Sequence, residues 1–264
     1  MKKTKYGELC GAAAINNPYN TWKGLITMLG IIGALDIEVN DIIKMMEQPV
    51  ERYYGPLKFV SGKIYGTDCV VAKCGIGKIN AAACTQTMIL EYRPDRIINT
   101  GIAGGTSSKT HIGSVVIADK VVQHDFDTTA LGDELGTLFL PDNTNIKYIP
   151  CNVPMVYELG EICDHLEQHI DHEIGTIATG DRFIAGMDDR RRLNELFGAI
   201  ACEMEGGSIG QICYIHRIPF AVLRSISDDS SSDEGAQAEY SIFSEMAAKT
   251  AVRIISGFIR NHSH

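Results

Sequence analysis

The stretch "GKINAAACTQTMILEYRPDRIINTGIAGG", residues 77–105, carries the alternation that decides the fold. Its first half is alanine-rich and helical in pattern, and Pro94 stops it. "RIINT" then reads as a short buried strand that ends in the glycine cluster "GIAGG". A helix delivered straight into an apolar strand is the repeating unit of an α/β sheet.

The same alternation continues on both sides. Upstream, the apolar run from Ile26 to Ile32 reads as a strand ending at Gly33, and 37–47 shows helical spacing of Val39, Ile42, Ile43 and Met46. "LKFVSGKIYGTDCVVAKC" predicts a hairpin turning near Gly66–Asp68. Downstream, "GSVVIADKVVQHDF" predicts a long strand, and 131–154 a loop rich in Gly, Pro, Asp and Asn. Helices over 155–170, 188–197, 206–217 and 241–260 then alternate with strands over 174–179, 199–204 and 220–227. The expectation is a single α/β domain over 27–264, with a mixed central sheet flanked by helices. Residues 1–26 stand apart. They have a basic start without the apolar core of a signal peptide, and read as an extension or as a start assigned too early.

The chain has 264 residues, enough for one large core, and 45% apolar with 22% charged residues is an ordinary globular composition. A net charge of −9 disfavours sequence-independent nucleic-acid binding. No apolar run approaches the roughly 20 residues of a membrane helix. The eight cysteines form no CxxC pair and several sit in apolar runs, a usage that suits reduced thiols in a cytoplasmic protein.

In open α/β sheets, ligands bind beyond the carboxyl ends of strands. Those ends carry "GALDIE", "CGIGK", "NTGIAGG", "TGDRF", "CEMEGG" and "SISDD". Glycines there let backbone approach a ligand closely. Glu38, the pair Glu203 and Glu205, and Asp228 have no basic neighbour in sequence, which predicts an acid-lined pocket. "CGIGK" lacks the first glycine and the Ser/Thr of a phosphate loop, and "GIAGG" does not fit the dinucleotide fingerprint. Structural readings exist for each acid. Glu203 and Glu205 could be helix-start acids favoured by the dipole, Asp228 could open the polar loop after it, and Glu38 could sit on an exposed helix face. His165, His169 and His172 in "HLEQHIDHE" have helical spacing, which a solvated helix face explains more simply than a metal site.

The pieces "GIIGALDIEV", "KCGIGKINAA", "INTGIAGG", "HDFDTTALG", "ATGDRFI", "CEMEGGSIG" and "LRSISD" occur in an order that resembles the methylthioadenosine/S-adenosylhomocysteine nucleosidases, members of the purine nucleoside phosphorylase-like superfamily. The resemblance implies that fold and hydrolysis of an adenine nucleoside, with no cofactor and no metal. It casts Asp228 as the acid that protonates adenine N7, with Ser227 on the purine edge, and Glu38 as the base that activates water. Glu205 would hold the ribose hydroxyls and Met204 line the ribose, while Arg224 balances the acids. Phe183 would stack on adenine with the Ile184 backbone reading its edge, and Ile76, Ala103, Gly104 and Tyr240 would complete the pocket. A homodimer is implied, the partner completing the 5′ pocket. Departures fall at Leu35, at Ile102, where serine is common, and at Thr128 and Leu131 near the 5′ substituent. They bear on 5′ specificity, and hydrolysis of a related nucleoside such as aminodeoxyfutalosine stays open. A phosphorylase needs cationic or N–H ligands for phosphate, and the acidic loop "GALDIEVND" argues against it. A non-catalytic nucleoside-binding protein is the third alternative.

Overall fold

The computed structural model describes residues 27–228 and 236–263, with side chains of the last helix described from 245 onward. The expected extension 1–26 and the polar loop 229–235 lie outside the described residues, as does the side chain of Tyr240.

In chain order the elements are β1 (Leu29–Gly33), α1 (Asp36–Lys44), β2 (Glu47–Tyr54), β3 (Leu57–Ile64), β4 (Thr67–Lys73), α2 (Lys78–Tyr92), β5 (Arg96–Gly105) and β6 (Val115–Gln123). There follow the two-residue strands β7 (Leu138–Phe139), β8 (Asn145–Ile146) and β9 (Ile149–Pro150), then α3 (Val153–His165) and β10 (His172–Thr179). α4 (Met187–Phe197), β11 (Ala199–Glu203), α5 (Gly206–His216), β12 (Phe220–Asp228) and α6 (Ala236–Asn261) complete the chain.

The main sheet runs β11-β10-β6-β12-β5-β1-β4-β3-β2, and β9 pairs with β6. It is mixed as expected: β1 lies parallel to β4 and β5, and β12 lies parallel to β5 but antiparallel to β6. One contact closes it. β11 pairs back onto β5 in antiparallel register, Cys202 opposite Gly104 and Ala201 opposite Gly105. The five strands β5, β12, β6, β10 and β11 therefore form a ring, which carries the tail of β5 to the end of β11. β1 and β12 are buried along their whole length, as expected for strands covered on both faces.

Several expectations move. "RIINT" is only the first half of β5, which runs on through the glycines because β12 and β11 give them ladder partners. The predicted first helix ends at Lys44, and the next residues form β2, an exposed edge strand with no buried face to give it a period-two pattern. The hairpin turns at Tyr65 and Gly66, both at positive φ, slightly earlier than expected. The predicted helix 155–170 stops at His165, and His172 already belongs to β10. The three histidines thus share no helix face. Among the described residues no cluster of three or more metal-ligating side chains forms. No helix among those residues is long and apolar enough to cross a membrane.

Candidate active site

Glu38 follows from the register of α1. The helix buries Glu38, Val39 and Ile42, so the carboxylate lies on the inward face with its apolar neighbours rather than on the exposed face. From the third helical position it reaches back to the end of β1. Its Oε2 accepts from the N–H of Ala34 at 2.6 Å and of Leu35 at 2.9 Å. Its Oε1 accepts from Ile102 N–H on β5 at 3.2 Å. Burial raises the proton affinity of Glu38; Arg224 and the three N–H donors oppose this without overcoming it. Gly101 has no room for a side chain, because a Cβ there would lie 2.8 Å from Glu38 Oε1 and 3.3 Å from Arg224 Nη1.

The two glutamates at the end of β11 divide the readings suggested by their sequence. Glu203 is the helix-start acid: Oε2 accepts from the N–H of Glu205 at 2.9 Å and of Gly206 at 2.7 Å, capping α5. Its Oε1 takes the Thr179 hydroxyl, and Arg224 Nη2 donates to its Oε2. Glu205 faces away toward the start of α2, where Oε1 accepts from Gly77 N–H at 2.8 Å. Burial and the neighbouring Glu203 push the Glu205 carboxyl up to about 7, against the pull of Arg224 and Gly77. Arg224 itself is buried and also donates to Asn99 Oδ1 at 2.5 Å. Burial opposes its charge, yet Glu203, Glu205 and Glu38 hold its proton more tightly than usual.

Asp228 ends β12 beside the tail of β5. Its Oδ1 accepts from Ser227 Oγ at 2.8 Å, and its Oδ2 is ion-paired with Arg190 Nη2. Gly104 lies against this pair, since a Cβ there would sit 3.3 Å from Asp228 Oδ2 and 3.4 Å from the Arg190 guanidinium. Ala103, Ser227 and Ile184 are buried, Met204 is half-buried, and Ile76 and Phe183 are exposed. Asp181, between β10 and Phe183, accepts from Lys78 N–H at 2.8 Å, and Asp125 binds Lys78 Nζ at 2.6 Å. That network ties the Phe183 segment to the start of α2.

The cluster of acids is therefore not purely acidic: two fully buried arginines pair with its carboxylates. Arg224 is legible in the sequence, but Arg190 hides in the run "RRR", which reads as solvated charge. The available signal is spacing. Arg190, Leu193 and Phe197 are the buried residues of α4, so the arginine opens an apolar stripe.

Residues 28–260 match the phosphorylase superfamily. Over 212 residues the chain is 39% identical to the 5′-methylthioadenosine/S-adenosylhomocysteine nucleosidase of Shewanella halifaxensis, covering 78% of this chain and 87% of that one. The chain belongs to that superfamily, in the family of these nucleosidases. The structure of the Neisseria meningitidis nucleosidase in complex with methylthio-immucillin-A superposes with a TM-score of 0.82 at 28% identity, over 89% of this chain and 99% of that one. The futalosine hydrolase of Helicobacter pylori superposes with a TM-score of 0.81 at 30% identity, over 89% of this chain and 98% of that one. Within this family fold, the ring closure between β5 and β11 brings Gly104 and Cys202 together, and with them the Asp228 and Glu203 ends of the site.

Proposed function

We propose that the protein hydrolyses the N-glycosidic bond of 5′-methylthioadenosine, S-adenosylhomocysteine or both, releasing adenine and the 5-thio-substituted ribose. The carrying observation is that Glu38 occupies the amides of Ala34, Leu35 and Ile102 with its own carboxylate. Those donors would otherwise be available to an anion, and a negative group in their place repels phosphate and suits water. A phosphorylase reading is disfavoured on this ground.

In the reaction, water adds its oxygen to the anomeric carbon as the bond to adenine N9 breaks, and Glu38 takes the water proton. Its raised proton affinity makes it a stronger base. Asp228, oriented by Ser227, delivers a proton to adenine N7, so the base leaves neutral. Glu205 and Met204 hold the ribose, whose positive character in the transition state an ionised Glu205 stabilises. Arg224 keeps Glu203 in place beneath it. Phe183 stacks on the adenine with the Ile184 backbone at its edge, and Ile76, Ala103, Gly104 and Tyr240 line the remainder.

A homodimer suits the exposed apolar side chains Ile76, Ile79, Leu131 and Phe183, of which Ile79 and Leu131 are 81% and 82% exposed. The partner completes the 5′ pocket. The setting proposed is cytoplasmic, in methionine salvage, with one domain spanning 27–264. A second reading, hydrolysis of an aminodeoxyfutalosine-type nucleoside, is favoured by the likeness to the Helicobacter futalosine hydrolase.

The test is incubation with methylthioadenosine, with and without phosphate, and identification of both products. Adenine and free methylthioribose are expected in both cases. Dependence on phosphate, with a sugar 1-phosphate product, would overturn the assignment of Glu38. Cleavage only of a nucleoside without the 5′-thio group would select the second reading.

A further inference from the structure

Arg190 is fully buried on the inward stripe of α4, followed by Leu193 and Phe197. Packing alone would be served there by an apolar residue, since a buried guanidinium is strongly penalised unless paired. Its one ion pair is with Asp228 among the described residues. Nη2 donates to Asp228 Oδ2, Nη1 donates to Gly105 O at 3.3 Å, and Nε has no hydrogen-bond partner among the described residues. The neighbouring Cys202 thiol is held neutral, pushed up to about 12 by burial, so it does not compete for Arg190. Glu203, the other acid near Cys202, is bound to Arg224. The segment that bears Phe183 and Ile184 runs directly into α4, with Arg190 N–H bonded to Gly186 O at 3.1 Å.

We propose that Arg190 is a positioning residue for the proton transfer. By donating to Asp228 Oδ2 it fixes that oxygen as an acceptor while the site is empty, so the proton that adenine N7 requires comes in with the nucleoside. This rests on the reading above that Asp228 faces N7. A purine whose N7 is a bare acceptor meets a second acceptor and must bring a proton in. A purine analogue with N7–H meets a ready acceptor.

The test compares 9-deazaadenosine, which carries N7–H, with 7-deazaadenosine, which has carbon at that position; the first has no glycosidic nitrogen and the second no N7 to protonate. Calorimetry on the wild type should show the N7–H ligand bound about 10- to 100-fold more tightly, the range of a hydrogen bond to a charged acceptor. Arg190→Met should reduce that preference to within about threefold, because Asp228 Oδ2 loses the donor that fixes it as an acceptor; Arg190→Lys should restore most of it. A purely structural arginine would weaken both ligands equally. Retention of the full preference in folded Arg190→Met would overturn the proposal.

Should that variant not fold, the wild type alone decides. Binding of the base 9-deazaadenine, which lacks a ribose for Glu205, is measured in two buffers of different ionisation enthalpy. No net proton release is expected, and release of about one proton would overturn the proposal. Absence of any preference in the wild type would overturn it together with the Asp228 assignment, and the methylthioadenosine product assay then reports separately whether hydrolysis stands.

Discussion

Glu205 Oε2 lies 4.0 Å from Arg224 Nη2, beyond hydrogen-bonding distance of a guanidinium that Glu203 already occupies. With burial and Glu203 outweighing that distant attraction, its folded-state proton affinity rises to about 7 from 4.5. The sign follows from linkage: a carboxyl raised on folding contributes stability below its unfolded value and loses it as pH rises through its folded value. Ligand-free protein should therefore lose about 2–3 kcal/mol from this group between about pH 4.5 and 7. Thermal melts of wild type and Glu205→Gln at pH 5 and pH 8 check this. The variant should gain on the wild type at pH 8, and parallel pH curves would contradict the account.

Glu38→Gln should lower hydrolysis by about 10²–10⁴-fold, the usual value of a general base, while nucleoside binding persists. The neutral side chain must turn its NH₂ toward one of the three backbone donors it now faces. A stability loss of about 1–3 kcal/mol should accompany the kinetic one. If affinity falls in step with rate, Glu38 holds ribose instead.

Gly101→Ala places a methyl group 2.8 Å from Glu38 Oε1 on a buried strand. The carboxylate must move, and a displacement of about 1 Å at a reacting group lowers rate by roughly 10²-fold. Steady-state turnover should fall by that order while circular dichroism still reports a folded α/β protein. Unchanged turnover would mean that Glu38 is not the base.

How much of this was legible beforehand follows the physics of each element. α2, β5 and α5 announce themselves through composition and period, and the glutamates of β11 through their position at a strand end. β2 gives no such signal because an edge strand exposed on both faces has no period to read. The histidine segment misleads because spacing of three and four residues persists where Leu166 leaves the helix in extended conformation. Arg190 escapes because its pairing with Asp228, 38 residues away, exists only once the sheet has closed.

Asp228→Asn removes the proposed acid and strands Arg190 in the interior. Turnover should drop about 10²–10⁴-fold, and unfolding free energy by about 3–5 kcal/mol, the penalty for breaking a buried pair on one side. The double variant Asp228→Asn with Arg190→Met should regain most of that stability and none of the turnover. Chemical denaturation of the four proteins of this cycle checks it, and additive losses would mean the two side chains are not coupled.

The carboxylate of Glu38, seated on amides from the turn after β1 and from β5, also bears on how such a scaffold could change trade. Adding a phosphate-binding arginine near the loop after β1 would not convert it, since the seat an incoming anion needs is taken by the protein's own. Removing Glu38 first gives up the water-activating group before any phosphate ligand exists. The path between the two chemistries thus descends through a chain that performs neither, and only a change of several residues at once steps across that gap.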